Sequence, residues 1–135
     1  MEYCIYQFLD KDKNIIYIGK AKNLKNRLTT HNHLPIDCYK SIEYIKYTKV
    51  KDKESINFIE CYFIQKYKPK YNNKMFTQNN IIYEINELNN IKWRTLKNGK
   101  EYIKLNYITK KHIKEEEEKK LSQEYINKAS EDFLL

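Results

Sequence analysis

The most constraining stretch of this sequence is its beginning. Tyr3-Cys4-Ile5-Tyr6-Gln7-Phe8 reads as a strand, Asp10 to Asn14 as a polar turn, and Ile15 to Ile18 as a second strand closed by Gly19. Two apolar runs joined by so short a polar turn form an antiparallel hairpin. Gly19 is one of only two glycines in the chain. Its place at a strand end points to a special backbone angle or to close approach of a ligand.

The pattern after the hairpin is mixed. Residues 21–31 read as a helix with Leu24 and Leu28 as its apolar seam, and residues 42–50 as a third strand. Asp52 is placed to cap a second helix that runs to about Tyr67, where Lys68-Pro69 stops it. To Asn72 the order is β-β-α-β-α, an α+β chain. Beyond it, Ile81 to Ile85 reads as a strand. Trp93–Leu96 and Glu101–Tyr107 flank Asn98-Gly99 as a hairpin, and a charged helix follows from about Thr109. Its run Glu115-Glu116-Glu117-Glu118 reads as a solvated face.

Composition narrows the function class. The formal net charge is +8, carried almost wholly by lysine. That suits contact with a polyanion backbone better than bidentate base reading, the province of arginine. No apolar run approaches the roughly 20 residues that span a bilayer, and the first residues do not read as a signal peptide. The expected setting is cytoplasmic, with no membrane partner. Three scattered cysteines, Cys4, Cys38 and Cys61, do not suggest a disulfide framework. A zinc site of His31, His33, Cys38 and Cys61 is conceivable by proximity, but lacks the usual ligand spacing.

Two features carry chemistry. Lys20, Arg27 and His31, at i, i+7 and i+11, would fall within about 40° of one another on a helix. Such a stripe suits an anionic phosphate oxygen, and equally an ordinary basic surface. In the second predicted helix, Ile56, Ile59, Phe63, Ile64 and Tyr67 share one face, and Glu60 projects inside it. A carboxylate among apolar neighbours needs a partner. A salt bridge to Arg27 or a lysine and a metal ligand at the floor of a cleft both satisfy that need.

These pieces together resemble the GIY-YIG nuclease family. Cys4-Ile5-Tyr6 and Tyr17-Ile18-Gly19 stand as its two signatures across the hairpin. The stretch from Tyr17 to Leu28 is similar to the excision-repair incision branch. His31, four residues after Arg27, is similar to the homing and restriction branches. Glu60 resembles the family's metal-binding glutamate, and Lys68-Pro69-Lys70-Tyr71-Asn72 its closing P-x-Y-N motif. Cys4 stands where the family usually has glycine.

The resemblance covers about residues 3–75. It implies a small three-stranded antiparallel sheet flanked by helices in a domain of residues 1–75. Residues 76–135 would form a C-terminal hairpin and charged helix that extend or cover it, with Trp93 packed on the core. It further implies an endonuclease acting on DNA rather than RNA with one divalent cation, Mg²⁺ or Mn²⁺. Glu60 would hold the metal, Tyr17 serve as general base, and Tyr6 assist by hydrogen bonding. Arg27 would bind the phosphate, Lys20 ease ionisation of Tyr17, His31 orient water or a phosphate oxygen, and Asn72 brace the site. An inactive module of the same fold that binds nucleic acid or a protein is the rival reading.

Overall fold

The computed structural model of the chain describes residues 2–75 and 84–134. Strands β1 (Tyr3–Leu9) and β2 (Ile15–Ala21) form the expected hairpin. The Asp10 carboxylate closes its turn by accepting the backbone N–H groups of Asp12 and Asn14, each at 2.9 Å. Lys13 takes the left-handed conformation there, with φ 62°. Helices α1 (Leu24–Thr29) and α2 (Ile36–Ser41) follow, then β3 (Tyr44–Val50) and α3 (Ile56–Tyr67). A 3₁₀ turn covers Lys70–Met75. A one-turn helix, α4 (Asn86–Asn89), the two-residue strand β4 (Arg94–Thr95) and a 3₁₀ turn at Gly99–Tyr102 complete the first part.

The sheet is antiparallel in the order β2-β1-β3-β4, one strand more than expected. β1 is central and every residue from Cys4 to Leu9 is buried, because both faces of the sheet are covered. Alternation divides the strand. Ile5 meets Ile18, Val50, Ile56, Phe63 and Ile64 in the main core, beneath α3. Cys4, Tyr6 and Phe8 project to the opposite face, where Tyr6 and Phe8 pack with Tyr17 and His31.

Several expectations change. The first helix starts at Leu24, not residue 21, because β2 runs on through Ala21 to pair with Cys4. Asn23 then caps the helix, its side-chain oxygen accepting the Asn26 N–H at 3.2 Å. Lys20 is therefore on a strand and His31 lies past the helix end, so the stripe of Lys20, Arg27 and His31 is not a helical one. Helix α2, which places Cys38 and Tyr39 in the interior, was not anticipated.

Helix α3 begins at Ile56, four residues after Asp52, with Ser55 as its first cap residue. It ends as expected: Lys68 adopts a left-handed conformation before Pro69, with φ 43°. The buried side includes Tyr62, while Tyr67 is exposed and stacks on Phe63. The reason is the later chain. The Tyr62 hydroxyl accepts the Ile85 N–H at 3.1 Å and donates to Asn89 Oδ1 at 2.6 Å. Trp93 packs edge-on to Phe63, with ring centroids 5.1 Å apart, as the packing expectation held.

The hairpin expected around Asn98-Gly99 does not form. Arg94 and Thr95 pair with Tyr47 and Lys46 of β3, and Leu96 N–H bonds to the Ile45 carbonyl at 2.8 Å. A tight type I′ turn needs positive φ at both central residues. Asn98 has φ 55°, but Gly99 does not adopt a positive φ. The chain enters a 3₁₀ turn instead, and Glu101–Tyr107 supplies no strand. The strand expected at Ile81–Ile85 falls largely outside the described residues, and Glu84 and Ile85 belong to no regular element.

The chain divides into two compact units, Met1–Lys104 and Leu105–Leu135. The second is α5 (Leu105–Leu134). Residues 113–128 are exposed throughout, so the four glutamates are a solvated face. Among the described residues no helix is long and apolar enough to cross a membrane.

Candidate active site

Strand β2 carries the site, and it is an edge strand. Asn72 closes that edge at one residue. Its side-chain Oδ1 accepts the Ile18 N–H at 2.8 Å, and its Nδ2 donates to the Ile18 carbonyl at 2.9 Å. One buried amide thus stands in for a neighbouring strand. The two residues beside Ile18 are Tyr17 and Gly19, so the clamp fixes the backbone that presents both.

Gly19 faces Tyr6 across the hairpin. A Cβ built on Gly19 would lie 2.5 Å from both Cζ and the hydroxyl oxygen of Tyr6. The glycine serves close approach, and the group that approaches is the Tyr6 ring. Its backbone has no positive φ.

Tyr6 is fully buried and sits in a hydrogen-bonded series. Its hydroxyl lies 2.9 Å from His31 Nε2, and His31 Nδ1 lies 2.7 Å from the Tyr39 hydroxyl, which accepts the Leu34 N–H at 3.1 Å. Burial, then the Arg27 guanidinium and the neighbouring His33 ring, lower the His31 pKa to about 3, so the imidazole is neutral near pH 7. Burial and the neighbouring Tyr17 push the Tyr6 phenol well above its ordinary value, while Arg27 pulls the other way.

Tyr17 lies beside Tyr6, ring centroids 6.1 Å apart, and its hydroxyl is 3.2 Å from His33 Nε2. Arg27 Nη2 donates to His33 Nδ1, also at 3.2 Å. Burial raises the Tyr17 pKa, Arg27 opposes that rise, and Glu60 adds to it.

Glu60 is a buried carboxylate on α3, 8% exposed. Lys20 Nζ stands 4.0 Å from its Oε1 and also donates to Asn57 one turn earlier on the helix. Burial raises the Glu60 pKa, and Lys20 only partly offsets this. Glu60 therefore pairs loosely with Lys20 rather than with Arg27.

The structure thus gathers Tyr6, Tyr17, Arg27 and His31 into one cluster, and sets Lys20 with Glu60 at the same edge strand. Arg27 opposes the rise that burial causes at Tyr17, and Lys20 opposes the rise at Glu60. Both His31 nitrogens are engaged by tyrosine hydroxyls, those of Tyr6 and Tyr39.

Sequence reasoning missed two members. Tyr39 had no mark among 13 tyrosines. His33 had one, its position two residues after His31, but entered only the zinc alternative. That alternative has no support here. His31 and His33 are engaged by tyrosines and Arg27, and among the described residues no three His, Cys, Asp or Glu side chains converge on a metal position.

Residues 2–73 match the family model described as the UvrC-like GIY-YIG domain. Relatives include UvrABC system protein C from Mycoplasma capricolum, 40% identical over 72 residues, and from Pseudoalteromonas atlantica, 35% identical over 74. The protein of that name from Bacteroides fragilis is 40% identical over 74 residues. Each match covers 50% of this chain and only 12% of the relative's length. No solved structure matches the chain.

Proposed function

The chain belongs to the UvrC-like GIY-YIG domain family, and on that premise we propose that it is an endonuclease that hydrolyses phosphodiester bonds in DNA with one divalent cation, Mg²⁺ or Mn²⁺. The observation that carries this reading is Glu60. It is a carboxylate held in the interior, at the strand edge that also bears Tyr17. Burial there favours its neutral form, and the Lys20 ammonium at 4.0 Å is a weak counter-charge.

The donor set fits a hard cation. Mg²⁺ is commonly held by one or two carboxylates, with water and substrate phosphate completing the shell. Glu60 would hold the ion, which when bound would supply positive charge to the scissile phosphate and the departing 3′ oxygen.

The remaining steps belong to the side chains. Arg27 binds a non-bridging phosphate oxygen and steadies charge that develops there. Tyr17, as phenolate, accepts the proton of the attacking water. Tyr6, oriented by His31, hydrogen-bonds to that water or to Tyr17. Lys20 is the counter-charge that partly offsets the burial of Glu60. Asn72 keeps the strand bearing Tyr17 in place. A depression of about 250 Å³ lined by Lys22, Lys25 and Lys49, the last paired with Glu2, would offer cations to a DNA backbone.

The test is incubation of the full chain with supercoiled plasmid and Mg²⁺ or Mn²⁺, alongside Glu60→Ala. Nicking lost in the variant is the expected result. No nicking with either ion, and no difference between the two proteins, overturns the reading in favour of a binding module of the same fold. Duplex, flapped and single-stranded substrates then define preference.

A further inference from the structure

His33 lies in the loop between α1 and α2 and bridges two groups of the site. Its Nδ1 is 3.2 Å from Arg27 Nη2 and its Nε2 is 3.2 Å from the Tyr17 hydroxyl. The ring is held on both sides of that bridge. It stacks on His31, centroids 4.7 Å apart and planes at 26°, and meets Tyr17 near edge-on at 66°.

The donors settle the tautomer. A guanidinium has five N–H groups and no acceptor. Arg27 can therefore bond to Nδ1 only if Nδ1 carries a lone pair. A neutral imidazole with a lone pair on Nδ1 carries its hydrogen on Nε2. That hydrogen points at Tyr17, so the phenolic oxygen is the acceptor and its own O–H is turned away from His33. A donor to the phenolic oxygen favours the phenolate.

We propose that His33 is a positioning residue for the hydrolysis: Arg27 fixes its Nε2–H tautomer, and that N–H is donated to the Tyr17 oxygen, readying it to accept the proton of water. His33 itself neither gains nor loses a proton. Water gives its proton to the Tyr17 phenolate as its oxygen bonds phosphorus and the P–O3′ bond breaks, the 3′ oxygen leaving to take a proton from solvent. The catalytic consequence rests on the nuclease reading above, but the contact itself does not.

The experiment separates the two. Difluorotyrosine, whose phenol titrates lower than that of tyrosine, replaces Tyr17 alone in the full chain and is followed by fluorine NMR against pH. His33→Ala is expected to raise the Tyr17 midpoint by about one pH unit. His33→Gln, whose side-chain N–H reaches the place of Nε2, is expected to restore most of that shift. His33→Asn, which reaches only the place of Nδ1, is expected not to.

An unchanged midpoint in a folded His33→Ala protein overturns the proposal, and so does equal behaviour of the Gln and Asn variants. If the midpoint moves as expected but the wild-type chain nicks no DNA, the nuclease reading fails and the tautomer assignment stands. With nicking present, the kcat–pH profile of His33→Ala moves to higher pH by the same interval while KM for DNA is little changed. An unmoved profile overturns the catalytic part.

Discussion

Tyr6 occupies the space above Gly19 that a side chain would otherwise fill, its hydroxyl oxygen 2.5 Å from the position of a Cβ. The two residues face each other across the hairpin, one from each family signature. Their pairing explains why the second signature ends in glycine when its backbone has no positive φ. The glycine is there to admit the tyrosine.

Gly19→Ala is expected to force the Tyr6 ring from its place. Overpacking of this kind costs about 1–3 kcal/mol, measurable by urea denaturation. It should also break the bond from Tyr6 to His31 Nε2, seen as a change in the His31 ring signals. An unchanged stability and unchanged signals would show that Tyr6 is not confined by Gly19.

Asn72→Ala removes both bonds to the Ile18 peptide and leaves two buried backbone groups without these partners. The expected loss is about 2–3 kcal/mol. Asn72→Asp retains the acceptor for Ile18 N–H but sets a carboxylate oxygen against the Ile18 carbonyl, and is expected to be no more stable than the alanine variant. Chemical denaturation of both proteins measures the difference.

Glu60 should make stability fall as pH rises. Its folded pKa lies above the ordinary 4.5 because of burial. The folded state then binds more protons than the unfolded one in the window above 4.5, so the contribution is fully present below 4.5 and is lost as pH climbs through the folded value. In chelator, Glu60→Gln is expected to melt above the wild type at pH 7, with the gap closing below pH 4.5. Mg²⁺ should raise the melting temperature of the wild type and not of the variant.

His31 works in the opposite direction. Its folded pKa of about 3 lies below the ordinary 6.5. The unfolded chain takes up a proton that the folded one refuses, so stability is lost as pH falls from 6.5 toward 3. Thermal melts between pH 7 and 5, above most carboxylate titrations, should fall in the wild type and stay flatter in His31→Gln. Parallel curves would mean that His31 is protonated in the native protein.

Much of this was legible in the sequence, for physical reasons that differ by residue. The first hairpin was readable because alternation and a polar turn are local signals. Glu60 was readable because helical period alone placed it among apolar side chains. Lys20 was misplaced on a helix because nothing local shows that β2 continues to Ala21. That extension depends on Cys4 across the sheet. Tyr62 and Tyr67 exchanged burial because Ile85 and Asn89, more than 20 residues away, cover one side of α3. His33 escaped notice because its role comes from two contacts made in space, with Arg27 and Tyr17, rather than from any spacing. The second hairpin failed on one dihedral angle, that of Gly99.

The clamp of Asn72 on Ile18 has a bearing on how the protein behaves in company. A bare edge strand offers its peptide groups to any other extended chain and so invites sheet growth from one molecule to the next. β2 is such an edge, with an apolar sequence from Ile15 to Ile18. The amide of Asn72 occupies the outward N–H and C=O at the centre of that strand. The motif that ends the family domain is therefore also a guard against self-association, and its loss should be felt first as aggregation on concentration.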